Sequence, residues 1–284
     1  MSIAVPTTLS VAETTKNAGF TDADGNKVAV VADRDGALRR GHRTPYTPTT
    51  MAKSVLSTMP SNSSTTLPSD PEVPTKRLAL SALTDLFTLL PQCLATPQDA
   101  DIRQRLFLGS YAALFPFQFS GALGISHAIG HAIGSTYGIP HGITSCISLG
   151  KVIRFMAEKA REGAGGEGRG IGEAGEAAQI ARAVAYIPGL RGTGDVARDA
   201  LLVAEAVEGL VLKLGLVTGL VDVWISSPSP PLFLCSVGPG EEEAIAVRAL
   251  RDPAHRDLKS GIALVWIGSG NMIAECRMVC IFCC

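Results

Sequence analysis

Apolar residues between positions 76 and 216 recur at helical spacing, whereas the segments on either side follow other patterns. Leu78, Leu80, Leu83, Leu86, Phe87 and Leu90 form one stripe, predicting a helix that Pro91 should end. Asp99 or Asp101 is placed to cap a second helix running through Arg105 and Leu108 to Phe115. A third helix follows around residues 124–134, where Gly134, Gly138 and Pro140 are expected to break it. Thr144–Lys159 and Ala177–Ile187 read as further helices, the latter stopped by Pro188-Gly189. Val196–Leu214 is predicted as a helix with Asp195 at its N-cap and Gly215 at its C-terminal end.

The flanks differ in kind. Residues 1–32 read as strand and turn, with Asp24-Gly25 as a hairpin signal before the apolar run Val28–Val31. Ser, Thr and Pro make up more than half of residues 43–75, so a disordered insert is expected over 33–66. The helical domain should then cover 67–223. Residues 224–284 read as irregular: a Ser-Pro breaker at 226–231, one helix over Glu241–Leu250, and an apolar tail. Gly163 to Gly168 satisfies GxGxxG, but the preceding residues are helical, and a dinucleotide fingerprint needs a strand there. A connector is the expected role.

Composition narrows the function. A net charge of −1 argues against a nucleic-acid or anionic-membrane surface. Seven cysteines, an odd number and far apart except at the C-terminus, suit a reducing compartment better than a disulfide framework. The start, Met1 to Pro6, lacks the basic and apolar regions of a secretory signal. The expected location is the cytoplasm, with the mitochondrial matrix left open. From Leu106 to Gly150 there is no Asp, Glu, Lys or Arg, but three histidines, Gln118 and two prolines make this a poor bilayer span. Cys276, Cys280, Cys283 and Cys284 lack the second distant pair of a zinc site. Cys146 reads as a core residue, and His42 and His255 as exposed loop.

The chemistry concentrates in that charge-free segment. His127 and His131 stand four apart, so a helix puts both on one face, and His141 should follow on the loop beyond. A single histidine on an apolar helix face is commonly a core residue with its hydrogen bonds satisfied. Three imidazoles with nothing ionic near them in sequence each need a partner once desolvated. That pattern suits a buried site that binds a metal or moves a proton.

Gly124-Ile125-Ser126-His127-Ala128-Ile129-Gly130-His131-Ala132-Ile133-Gly134, followed by Pro140-His141-Gly142, resembles the iron-containing (group III) alcohol dehydrogenases, in their maleylacetate reductase-like and fungal branch. Ala4 to Thr15 is similar to that family's Pro-Thr-Thr segment, and Leu67–Leu90 and Val207–Leu216 to family helices in the right order. The resemblance implies the helical C-terminal domain of the dehydroquinate synthase-like fold, mainly α, with a short β remnant of an N-terminal nucleotide-binding α/β domain. It implies His127 and His141 as ligands of Fe2+ or Zn2+, His131 as a proton-transfer residue, and Thr7 and Thr8 as contacts to NAD or NADP. The implied reaction is hydride transfer between an alcohol and an aldehyde or ketone. A keto-acid substrate and a homodimer fit the same class.

Two parts of the family pattern lack counterparts. The glycine-rich phosphate turn is not found, and where an Asp and a His four apart would supply two more ligands, the Ser/Thr/Pro insert stands. Asp33, Asp35 and His42 are the nearest candidates, and none has the spacing. The expectation is a truncated family member with impaired activity and weakly held metal. The rivals are an inactive metal- or partner-binding helical module, and an unrelated helical protein with a structural zinc.

Overall fold

The computed structural model describes residues 17–21, 23, 27–31, 72–115, 125–137, 139, 141–163, 171–216 and 247–248. Strands β1 (Asn17–Thr21) and β2 (Lys27–Val31) pair antiparallel, with Asn17 opposite Val31 and Thr21 opposite Lys27. The hairpin brackets Asp24-Gly25, where the turn signal predicts it. β2 lies against the helix that carries His127.

Six longer helices are found among the other described residues. A wide turn at Glu72–Lys76 leads into α1 (Arg77–Ala95), and α2 (Ala100–Leu114) packs back along it. Then come α3 (Ile125–Tyr137), α4 (His141–Gly163), α5 (Ile171–Ala181), extended by a tight turn over Arg182–Tyr186, and α6 (Val196–Lys213). α4 is the hub: it packs on α3, α5 and α6. Leu86, Leu89, Leu90, Leu106, Ile133, Ile147, Leu149 and Ile153 are the largest side chains fully removed from water in the resulting core. Thr84 on α1 donates its hydroxyl to the carbonyl of Tyr186 at 2.7 Å, tying the first helical pair to the others.

Local chemistry sets the ends as expected in two places. The Asp99 carboxylate accepts from the amides of Asp101 and Ile102 at the start of α2. Asp195 accepts from the amide of Arg198 at 2.6 Å, and Gly215 takes a positive φ of 65° just past α6, so both ends of that helix are satisfied by the residues named for them.

Other boundaries differ. Pro91 does not end α1, which runs on to Ala95. The proline removes one backbone donor, but Leu89, Leu90 and Cys93 are buried around it and hold the turn in place. Leu78, assigned to the apolar stripe, is 36% exposed. Gly134 lies inside α3 rather than breaking it. A Cβ there would stand 3.0 Å from the carbonyl oxygen of Ile139, so the glycine serves a close approach of backbone. His141 is the first residue of α4, not part of a loop. α5 begins at Ile171, six residues before the predicted start at Ala177. The expectations for Thr7, Thr8, the 33–66 insert, His42, the 226–231 breaker, His255 and the cysteine tail fall outside the described residues.

Candidate functional site

Two turns of helix bring three imidazoles together. His127 and His131 project from the same face of α3, and His141 enters from the first turn of α4. Ring centroids are 4.4 Å apart for His127 and His131, 4.4 Å for His127 and His141, and 5.1 Å for His131 and His141. One nitrogen from each ring lies within 4.8 Å of the other two.

Electrostatics favours a neutral His127. Burial holds the His127 imidazole well below its ordinary pKa, and the neighbouring His141 and His131 add to the effect. Desolvation penalises the cation, and two further cations would repel it. Nδ1 of His127 is buried and has no hydrogen-bond partner among the described residues. A neutral imidazole with an unused buried nitrogen is a ready metal ligand or proton acceptor, and such a polar atom is costly to leave unmade.

The donor set fits a divalent transition metal. Imidazole nitrogens suit iron and zinc, and nitrogens this close need only small side-chain rotations to meet one ion. The same rings could also pass a proton between them.

The support beneath the rings is polar and buried. The Thr144 hydroxyl donates to the carbonyl of His141 at 2.6 Å. The Ser126 and Ser148 hydroxyls are 2.8 Å apart, and that of Ser148 also lies 2.8 Å from the Thr144 carbonyl. Ser126, Thr144, Ser145 and Ser148 are all at most 1% exposed. A Cβ on Gly130 would meet the Thr144 hydroxyl at 2.7 Å and Cε1 of His141 at 3.5 Å. The bare helix face at Gly130 therefore lets α4 approach the histidine helix closely enough for the rings to meet. These residues escaped the sequence reading. The available signals were Gly130 and Gly134, spaced four apart between and beyond the histidines, and the hydroxyl run at 144, 145 and 148. Cys146 is buried in α4, as expected of a core residue.

Comparison with known proteins identifies a family and a fold. The sequence profile described as the Fe-containing alcohol dehydrogenase family, C-terminal, matches residues 72–252. No curated sequence gives a match. Among solved structures, a 1,3-propanediol oxidoreductase superposes with a TM-score of 0.65 at 19% identity, covering 87% of this chain and 59% of that one. Maleylacetate reductase from Rhizobium sp. strain MTP-10005 gives 0.58 at 18%, covering 87% and 60%. Sulfoacetaldehyde reductase from Bifidobacterium kashiwanohense, solved in complex with NAD+, gives 0.58 at 20%, covering 88% and 58%. The chain thus spans about three fifths of the length of these structures. The fold they share with it is the mainly helical C-terminal domain that the resemblance implies.

Proposed function

This chain belongs to the Fe-containing alcohol dehydrogenase family, and on that premise we propose that it carries the metal- and substrate-binding part of a nicotinamide-dependent oxidoreductase, interconverting an alcohol and an aldehyde or ketone. The convergence of His127, His131 and His141 within 4.8 Å is the observation that carries the reading. His127 and His141 would hold Fe2+ or Zn2+, and His131 would line the pocket as the proton-transfer residue. Thr7 and Thr8 are the proposed contacts to NAD or NADP. When bound, such an ion polarises the oxygen of the carbonyl or alkoxide.

The protein's own residues supply the remainder. Burial keeps His127 neutral, so its lone pair is available without first losing a proton. The burial of His127 beside the half-buried His131 and His141 strengthens any charge interaction at its ring. His131 is close enough to both other rings to exchange a proton with a substrate oxygen lodged there. A small alcohol, aldehyde or keto acid is the proposed substrate, and a cytoplasmic homodimer the proposed setting.

Metal retention in this proposal is weak. Two imidazoles provide neither charge neutralisation nor a fixed geometry, and residues 33–66 offer no Asp and His four apart. Metal content, NADH fluorescence quenching and aldehyde turnover, measured together on the full chain and on three variants, test the assignment. His127→Ala and His141→Ala should each lose metal, whereas His131→Ala should keep metal and lose turnover. Equal metal loss in all three would refute the division of roles. Wild-type protein that neither quenches NADH nor reduces an aldehyde would leave an inactive helical module.

A further inference from the structure

We propose that Ser126, Ser148 and Thr144 are positioning residues, forming a buried hydrogen-bond chain that sets the spacing of His127 and His141 and so the affinity of the site. The proposal rests on reading the imidazole cluster as a metal site. One assignment of protons satisfies all three hydroxyls. Ser148 has a single proton to give, and its shortest carbonyl neighbour is that of Thr144, at 2.8 Å against 3.3 Å for Ser126. Ser126 then donates to the oxygen of Ser148 at 2.8 Å, and Thr144 donates to the carbonyl of His141 at 2.6 Å. The chain starts on α3, one residue before His127, and ends on the backbone of His141 itself.

Its location separates it from ordinary core packing. All three hydroxyls are at most 1% exposed, so none can exchange its partner for water, and the α3–α4 link has one low-energy register. Shifting α4 by one residue would leave at least one buried hydroxyl unpaired, at a cost that apolar contacts do not impose. Gly130 adds the steric half, since the Thr144 hydroxyl fills the space where a Cβ would be. The Ser145 hydroxyl, 3.4 Å from the same carbonyl of His141, is too long a contact to replace that of Thr144.

The test uses Co2+ as a spectroscopic probe on the full chain, titrated by visible absorbance, with thermal unfolding followed in parallel. Ser126→Ala/Ser148→Ala removes both hydroxyls together and leaves neither without its partner, so stability should change little. Co2+ affinity should nevertheless fall about 10- to 100-fold, the range seen when groups orienting metal ligands are removed. Gly130→Ala should weaken Co2+ binding as well, and Gly130→Ala/Thr144→Ala should recover less than the full affinity, because the clash is relieved while the bond to His141 stays lost. Wild-type affinity in a folded Ser126→Ala/Ser148→Ala protein overturns the positioning role alone. Absence of Co2+ binding by the wild-type chain overturns this inference together with the metal reading beneath it. If the double serine variant does not fold, Thr144→Ala carries the same test, with undiminished Co2+ affinity as the overturning result.

Discussion

Asp199 shows how much one side chain can organise. It is 9% exposed and sits in the first turn of α6, where its carboxylate accepts from the amide and the hydroxyl of Thr193, both at 2.7 Å, and from the amide of Gly194 at 3.3 Å. Those bonds to the charged form hold its pKa below the ordinary carboxylate value, the Thr193 amide contributing most. The sign follows from linkage: a pKa depressed by folding adds stability at neutral pH, which is lost as pH falls from about 4 through the folded-state value. Asp199→Ala should cost about 1–3 kcal/mol at pH 7, and the gap between the two proteins should narrow as pH falls through the depressed folded-state pKa. Urea melts at several pH values check this, and a pH-independent difference would remove the carboxylate as the cause. None of this was legible in the sequence, because Asp199 bonds to a loop whose path depends on Gly194 taking a φ of 87°. The histidines were legible for the opposite reason. His127 and His131 share a face by helical arithmetic alone, and only the approach of His141 required the tertiary fold.

Helices here are positioned by what their glycines allow. Gly150 on α4 faces α6 so closely that a Cβ would lie 2.5 Å from Cγ of Glu208. That glutamate forms a bidentate pair with Arg154, at 2.6 and 3.4 Å, across the contact between α4 and α6. Alanine in a helix interior normally gains about 0.5–1 kcal/mol over glycine, yet Gly150→Ala must displace the Glu208 side chain and its ion pair. The expected result is a net loss in the wild-type background and a net gain in Glu208→Ala. A double-mutant cycle by denaturant unfolding should return a coupling of about 0.5–3 kcal/mol, and additive effects would disprove the steric argument. At this scale the sequence was readable wherever a cap or apolar period acts locally, as at Asp99, Asp195 and Gly215. It misled at Pro91, Gly134 and His141. At Pro91 and Gly134 a local breaker rule competed with a tertiary demand, namely the buried Leu89 to Cys93 turn and the Ile139 carbonyl against α3; at His141 it competed with another local bond, from the Thr144 hydroxyl, that closes the first turn of α4.

Across the whole molecule, the imidazole cluster lies at one contact while the apolar core runs far beyond it. Buried leucines, isoleucines and valines extend without interruption from Leu80 on α1 to Leu216 after α6. α1, which with the turn before it is long and apolar enough to span a membrane, turns its buried face, Leu80, Leu83, Leu86 and Leu90, into that same core. A protein whose fold depends on a structural zinc has too little apolar surface to fold without it, and the opposite holds here. The expected behaviour on metal removal follows. EDTA should leave far-UV circular dichroism unchanged and lower Tm only by the linkage contribution. Adding Zn2+ at a hundred times its Kd should restore about 2.7 kcal/mol. The increment should vanish in His127→Ala, where the buried nitrogen that lacks a partner among the described residues is gone. Loss of helical signal in EDTA would mean that the metal holds the fold together, and the cluster would then be a structural site in place of a chemical one.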